Sequence, residues 1–577
     1  MQKRIPCDWF LTDGILPPVR LDAPETVMAA LRQAGVVEEK SGLMDELKTE
    51  WVYRRTWRYY AAFTGAQAEN GRRCFLSADG LFGQWCFKLN GAMIAAGSEA
   101  SLFVEGTGRI QAGENVAEFE FAPEDPAAVR PISGFEGALV LKETGDARVS
   151  AFRVNQTDEG EWVLETETDA KEACEASFLY TLSQPGGTAE HEFRETLAPG
   201  ANTFTHAAFM SIEKGKRAMV TVKLRVNGEI SDEASDAVFI PENEASPRGF
   251  AAADDFTVVA SKAAGGNAVC CEDTPRMRLS AAENGLQLIP YDSAFVRLPL
   301  CASETSETLL RMADGDETQF ENDAVWYFTL SDREGLSRTL ADADAGNLGQ
   351  AEKAKISRYL QAEDLRRRAE KARLKKEAFL VDGVRDAQET CASCAIFDAD
   401  DTPRPAYLAL MNAWKPEHAF AMPPEKFPED GIVNIPIFCV SDAKLTATTV
   451  NAVAYDQEGR ELVSASFPMA GRMTDVVGRL CVEMPADGIV IIRSRILRAE
   501  ECVSRSDDVI AVDASALWSI NETQLIDEGD KIVNAGSSAA VGVSVPGEDF
   551  YGVLLPGEEI EKTSARKTRV EGLNVYF

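Results

Sequence analysis

The run "AVWYFTLSDREGLSR" sets Asp332 and Glu334 directly after apolar and aromatic residues, where a strand would end. Two carboxyl groups so placed can act as proton donor and nucleophile on a sugar acetal, provided they stand roughly 5 Å apart across the reacting bond. They can equally be the solvated turn that follows a strand. Cys391 and Cys394 form a Cys-x-x-Cys, the spacing of a redox pair or of half a zinc site, but no second pair accompanies it and His191, His206 and His418 are far apart in sequence. Buried strand thiols are expected there, with no metal. Three histidines without a nucleophile elbow argue against a Ser-His-Asp triad, and no glycine-rich phosphate motif stands between a strand and a helix, so no cofactor is expected. Trp57, Tyr59 and Trp85 can fill a sandwich core or present a ring face to a sugar.

The elements that must position these groups show in the hydrophobic pattern. Alternating, β-branched runs dominate the first 240 or so residues, among them "WVYRRTWRYYAAF" and "AMVTVKLRVNGEI". Asn90-Gly91 and Asn227-Gly228 supply the two-residue turns of tight hairpins. This predicts β-sandwiches. From about Phe250 the pattern becomes helix, short strand, helix, short strand, in "DDFTVVASKAAGGNAVCC" and "RMRLSAAENGLQLIPYD". Gln350 to Phe379 is the strongest helix pattern, with Ile356, Leu360 and Leu365 at near-helical spacing among charges, and its charged face is expected to be solvated. After "PRPAYLALMNAW" strands return, with "AMPPEKFPEDG" reading as a linker.

Composition bounds the rest. A chain of 577 residues exceeds one core and is expected to hold four or five domains. No run approaches the roughly 20 apolar residues that cross a bilayer. The opening "MQKRIPCDWFLTDGILPPVRLD" lacks the apolar stretch of a signal peptide, and twelve scattered cysteines, with Cys270 and Cys271 adjacent, suit reduced thiols, so a cytoplasmic protein is expected. A net charge of -34 repels nucleic acid and anionic membranes.

Several segments resemble one family. "DAPETVMAALRQAGVV" followed by "EWVYRRTW", then "LSADGLFGQWCFKLNGAMIAAG" and "GRIQAGENVAEFEFAP", are similar to the first domain of the β-mannosidase and exo-β-glucosaminidase branch of glycoside hydrolase family 2. "ARVSAFRVNQTDEGEW" resembles the start of that family's second domain. "ISRYLQAEDLRRRAEKAR" resembles the helix before its last barrel strand, "AIFDADDTPRPAYLALMNA" its barrel exit, and "GVSVPGEDFYGVLLPGEEIE" its final sandwich. The resemblance implies a multidomain, mostly β chain: a galactose-binding-like jelly roll and immunoglobulin-like β-sandwiches flanking a TIM-barrel-like (β/α) domain. The expected divisions are 1–135 jelly roll, 136–242 immunoglobulin-like, 243–415 barrel, 416–505 immunoglobulin-like and 506–577 C-terminal sandwich.

The barrel is expected to be truncated, because a full (β/α)8 domain takes about 250 residues and only about 170 separate the second sandwich from "PRPAY". In the family the proton donor is the Glu of an Asn-Glu pair, and the nucleophile is a Glu after a later strand. Here Asn-Glu occurs only at Asn243-Glu244 and Asn521-Glu522, both outside the α/β segment, so no acid/base residue is assigned. On the resemblance Asp332 takes the nucleophile position with a side chain one methylene shorter, Glu334 stands beside it, and the stacking tryptophan of the last strand is missing. The expectation is a β-mannosidase-like protein that binds carbohydrate, a β-linked glycoside or oligosaccharide, or a partner protein, without hydrolysis. The alternatives are an active retaining exo-β-glycosidase with a rearranged carboxylate pair, and a non-catalytic interaction subunit.

Overall fold

The computed structural model describes residues 2–37, 49, 51–65, 72–99, 101–123, 133–157, 161–209, 211–242, 245–252, 254–290, 325–329, 350–382, 384, 395–397, 401–424, 427–428, 431–442, 445, 448–469, 474–512, 516–517, 519–563 and 570–576. Asp332, Glu334, Cys391, Cys394, Asn243 and Glu244 lie outside the described residues. The chain groups into two compact units, Met1–Val238 and Phe239–Phe577.

Among the described residues the first unit is mostly strand, with a short helix at Val27–Gln33 and a helical turn at Trp51, Val52 and Tyr53. A six-stranded antiparallel sheet, ordered Val19–Leu21, Asp8–Thr12, Trp57–Gly65, Gly113–Phe121, Trp85–Leu89, Ala92–Gly97, belongs to a sandwich with a four-stranded sheet built on Arg73–Asp79. Alternate residues of Trp57–Gly65 and Gly113–Phe121 point inward, which puts Trp57, Tyr59, Phe119 and Phe121 into one core. Val140–Thr144 pairs with Arg73–Asp79, so strand pairing carries this first sandwich to Thr144. The second sandwich faces Ala147–Gln156, Trp162–Ala170 and Gly200–Ala207 against Gly187–Leu197, Cys174–Gln184, Arg217–Val226 and Glu229–Phe239. The Asn-Gly turns behave as expected: Asn90 and Gly91 take φ of 51° and 79°, and Asn227 and Gly228 take 53° and 84°. Both residues of a type I′ turn need that left-handed backbone.

The second unit opens with an α/β layer: β1 (Arg248–Ala251), α1 (Asp255–Ala263), β2 (Ala268–Cys271), α2 (Pro275–Glu283), β3 (Gln287–Pro290), β4 (Val325–Thr329), α3 (Gln350–Lys375), β5 (Ala378–Asp382) and α4 (Pro405–Ala413). The strands lie in the order β3-β2-β1-β5-β4 and every pair is parallel. All residues of β1 and β2 are buried, as strands covered on both faces must be. The first strand of the layer hydrogen-bonds to the last, the neighbour relation by which a (β/α) barrel closes, yet the described strands form an open arc of five. Sandwiches follow. β6 (Glu417–Ala421) and β7 (Ile432–Ser441) belong to a three-stranded sheet that shares a core with the four-stranded sheet ending in β8 (Glu501–Ala511). A final β region contains β9 (Phe550–Leu554). The chain is thus multidomain and mostly β, with sandwiches flanking an incomplete (β/α) sheet.

Two expectations fail here. "AMPPEKFPEDG" joins β6 to β7, which pair antiparallel from Glu417↔Ser441 to Ala421↔Ile437, so it is a hairpin connection and not a linker. The charged face of α3 is not solvated: Asp364, Arg366 and Glu370 are 3%, 1% and 0% exposed. The helix is buried because α4 packs along it through Ala362, Leu365, Ala369 and Ala372, while Ile356, Tyr359 and Leu360 enter a second cluster with Val541 and Val553.

Candidate active site

In a parallel sheet chemistry is placed where the strands end and the helices begin. At that end of β1, Asp254 caps α1, accepting from the Thr257 backbone N–H at 2.8 Å and from its hydroxyl at 2.6 Å. Asp255 pairs with Arg276 at 2.9 Å; burial acts to raise its pKa, but hydrogen bonds from Arg276 and Ser280 outweigh this and hold it below the ordinary value. After β2, Asp273 takes both Nε and Nη2 of Arg278, the latter at 2.9 Å, and Thr274 caps α2. Glu272, directly after β2, is exposed. The Cys271 thiol is pushed up to about 12, first by burial and then by Cys270 and nearby carboxylates, so it is no nucleophile at neutral pH.

These groups are occupied with starting helices. A glycosidic proton donor needs its pKa raised toward neutrality, and Asp255 is displaced the other way. The end of β4, after which Asp332 and Glu334 follow in sequence, lies at this same sheet end because β4 runs parallel to β5 from Val325↔Ala378 to Thr329↔Asp382.

The other residues singled out in the sequence build no reactive site among the described residues. Asn521 and Glu522 are exposed in the C-terminal β region, where the Asn521 backbone N–H bonds Gln457 Oε1 at 3.2 Å. Trp57, Tyr59 and Trp85 are core residues of the first sandwich: their polar atoms donate to the carbonyls of Val52 at 2.8 Å, Glu25 at 2.6 Å and Glu99 at 2.8 Å. They offer no ring face to a sugar. His191 and His206 both lie against Phe193, with ring centroids 4.5 and 4.2 Å away, and among the described residues no group of three His, Cys, Asp or Glu could hold a metal ion.

Sequence reasoning missed a cluster inside the second unit. Arg366 donates to Glu370 Oε1 at 2.9 Å and to Glu363 Oε2 at 2.7 Å, and stands 2.7 Å from Asp508 on β8. His418 Nε2 lies 2.8 Å from the same Glu370 oxygen, and the Tyr551 hydroxyl donates to Glu363 at 2.8 Å. Burial first, softened by Arg366, raises the Glu370 pKa to about 7 and also raises that of Asp508, while burial and then Arg373, Arg366 and Lys415 push His418 well below its ordinary value. The side chains of Arg366, Glu370, Asp508 and His418 are at most 2% exposed, with Tyr551 at 5% and Glu363 at 13%, so the cluster has no path to a substrate. The available signal was the stripe 356, 359, 363, 366, 370, 373, which continues an apolar helical face into charged residues.

No family model matches the sequence, and no curated protein matches it. Solved structures do share its fold. A β-D-mannosidase from Dictyoglomus thermophilum superposes with a TM-score of 0.66 over 100% of both chains at 12% identity. An exo-chitosanase from Amycolatopsis orientalis, solved in complex with PNP-β-D-glucosamine, gives 0.65 over 100% of this chain and 99% of that one, also at 12% identity. A β-glucuronidase from glycoside hydrolase family 2 gives 0.51 over 99% of this chain and 78% of that one at 10% identity. The fold of this chain is therefore that of glycoside hydrolase family 2 structures.

Proposed function

We propose that this chain is a β-mannosidase-like protein of glycoside hydrolase family 2 that engages β-linked glycosides without hydrolysing them. The observation that carries this reading is the full-length likeness to a β-D-mannosidase, joined to a sheet end whose carboxylates at Asp254, Asp255 and Asp273 are committed to helix caps and guanidiniums. Retaining hydrolysis needs one carboxyl held protonated and a second positioned to attack, and an attacking atom withdrawn by about 1 Å costs on the order of a hundredfold. Asp332 in the place of a Glu withdraws it by a methylene. The five-part division of the chain belongs to the same proposal, with its first boundary drawn to Thr144 by strand pairing. So does a cytoplasmic location, supported by nine free cysteines among the described residues. No described helix is long and apolar enough to cross a membrane.

A second reading, an active exo-β-glycosidase with a rearranged carboxylate pair, is favoured by the position of β4: its C-terminal end lies in line with those of β1 and β2, just before Asp332 and Glu334. One experiment separates the two. The full chain is incubated with p-nitrophenyl β-D-mannoside and β-D-glucosaminide beside Asp332→Ala, and binding of the matching β-linked disaccharides is followed by calorimetry. Saturable binding with no release above the variant is expected. Nitrophenol release that disappears in Asp332→Ala replaces the first reading with the second, and absence of both binding and release leaves only the interaction subunit.

A further inference from the structure

The opposite end of the parallel sheet holds a cleft of about 200 Å³. Ser246 and Arg248 reach it from the start of β1, Arg373, Lys376 and Glu377 from the end of α3, and Asp442 from the residue after β7. Asp442 is clasped by both guanidiniums: Arg248 Nη1 and Nη2 donate to its two oxygens at 2.9 and 2.5 Å, and Arg373 Nη2 donates at 3.0 Å. Arg248 Nε bonds the Gly265 carbonyl at 3.1 Å, while Arg373 also takes the carbonyls of Ala413, Lys415 and Pro416 at 2.6, 2.8 and 3.2 Å. A guanidinium carries five N–H groups. Arg248 spends three of its five and Arg373 four of its five, so three N–H groups on two side chains only 8% exposed have no acceptor among the described residues.

The charges are unbalanced in the same sense. Arg248, Arg373 and Lys376 face Asp442 and Glu377, three positive against two negative, in a chain whose net charge is -34. Lys376 is exposed and has no ion-pair partner among the described residues. Burial, with Arg248 alongside, brings the Arg373 guanidinium down to about 10, the mark of a cation short of counter-charge. Three of the roughly four acceptor sites on the Asp442 carboxylate are filled, so the cleft presents more spare donors than that carboxylate has sites left to accept them.

We propose that this cleft is a binding site for a small oxyanion, a phosphate or a carboxylate group, held by the unspent N–H groups of Arg248 and Arg373, the ammonium of Lys376 and the Ser246 hydroxyl. Charge-assisted donors in a fixed fork suit such a group. The site is independent of the proposed glycoside binding, which concerns the other end of the sheet. The test is calorimetric titration of the full chain with inorganic phosphate and with malonate, at ionic strength held constant with chloride. Saturable one-site binding of at least one anion is expected, weakened tenfold or more in Lys376→Glu and in Ser246→Asp. The tighter of the two anions identifies the group recognised. Lys376 is exposed and holds no contact the fold needs, so its variant keeps the question answerable even if Ser246→Asp does not fold. Heat that never saturates with either anion, or binding in Lys376→Glu equal to that of the unaltered protein, overturns the proposal.

Discussion

Glu370 takes two partners on one oxygen, Arg366 at 2.9 Å and His418 at 2.8 Å, with no solvent in reach. Its pKa is raised from 4.5 to about 7 and that of His418 is lowered well below 6.5, both mainly by burial. In the folded protein the proton therefore sits on the carboxyl and the imidazole is neutral, whereas in the unfolded chain near pH 5.5 the carboxyl is ionised and the imidazole charged. A raised folded pKa on Glu370 contributes stability at low pH that is lost as pH climbs to about 7. A lowered folded pKa on His418 costs stability below 6.5 and ceases to do so above it. Each state binds one proton in the shared window, so the two slopes offset. Glu370→Gln keeps the shape of the neutral acid but removes its titration, leaving the His418 slope alone. Stability of the variant should then rise between pH 5 and 6.5 with a slope approaching 1.4 kcal/mol per unit, about one proton's worth, relative to the unaltered protein. Urea unfolding across pH 5 to 8 measures this, and parallel profiles for the two proteins would contradict the assignment of the proton.

At the scale of the element, α3 is a charged helix used as a core. Arg366 pairs with Glu363, Glu370 and Asp508 at once, so Arg366→Ala strands buried carboxyls and should cost about 3–5 kcal/mol, while Arg366→Met, which fills the space, should cost less if the carboxyls protonate. Arg276→Ala breaks an ion pair whose members are 43% and 54% exposed and should change stability by at most about 1 kcal/mol. Chemical denaturation of the three variants, followed through the transition of the second unit, gives the ranking; equal effects for Arg366→Ala and Arg276→Ala would mean that the cluster is not structural. The contrast explains what could be read from sequence. The Asn-Gly hairpins were legible because turn chemistry acts over three or four residues. The fate of the α3 charges was not, since Lys, Arg and Glu are seldom buried and the partners that make it tolerable here, His418, Asp508 and Tyr551, come from strands remote in sequence. The candidate catalytic pair was legible only as a sequence position after an apolar strand.

At the scale of the molecule, the five described strands form an open arc in which β1 meets β5, the neighbour relation by which a (β/α) barrel closes. Sequence length and the exit motif foretold the shortening, because a strand and helix unit has a nearly fixed length. They could not show how the two N-terminal sandwiches join, since that depends on single buried side chains. Asp232 is 2% exposed and ties the joint within the first unit: it accepts from Lys142 at 2.8 Å, on the last strand of the first sandwich, and from the Val149 backbone N–H at 2.8 Å, on the first strand of the second. Arg73 of the first sandwich reaches Asp169 of the second at 3.0 Å, and Arg148 adds a bond to the same carboxylate at 3.1 Å. Such a joint couples the sandwiches more tightly than a flexible tether. Met1–Val238 expressed alone should therefore fold and unfold in one cooperative transition by calorimetry, since its cores are closed by its own strands. Asp232→Ala removes the acceptor of a partly buried ammonium and of a buried N–H, and should destabilise by about 1–3 kcal/mol and split the transition in two as the sandwiches uncouple. Two transitions in the unaltered fragment, or one undivided transition in Asp232→Ala, would place the coupling elsewhere in the unit.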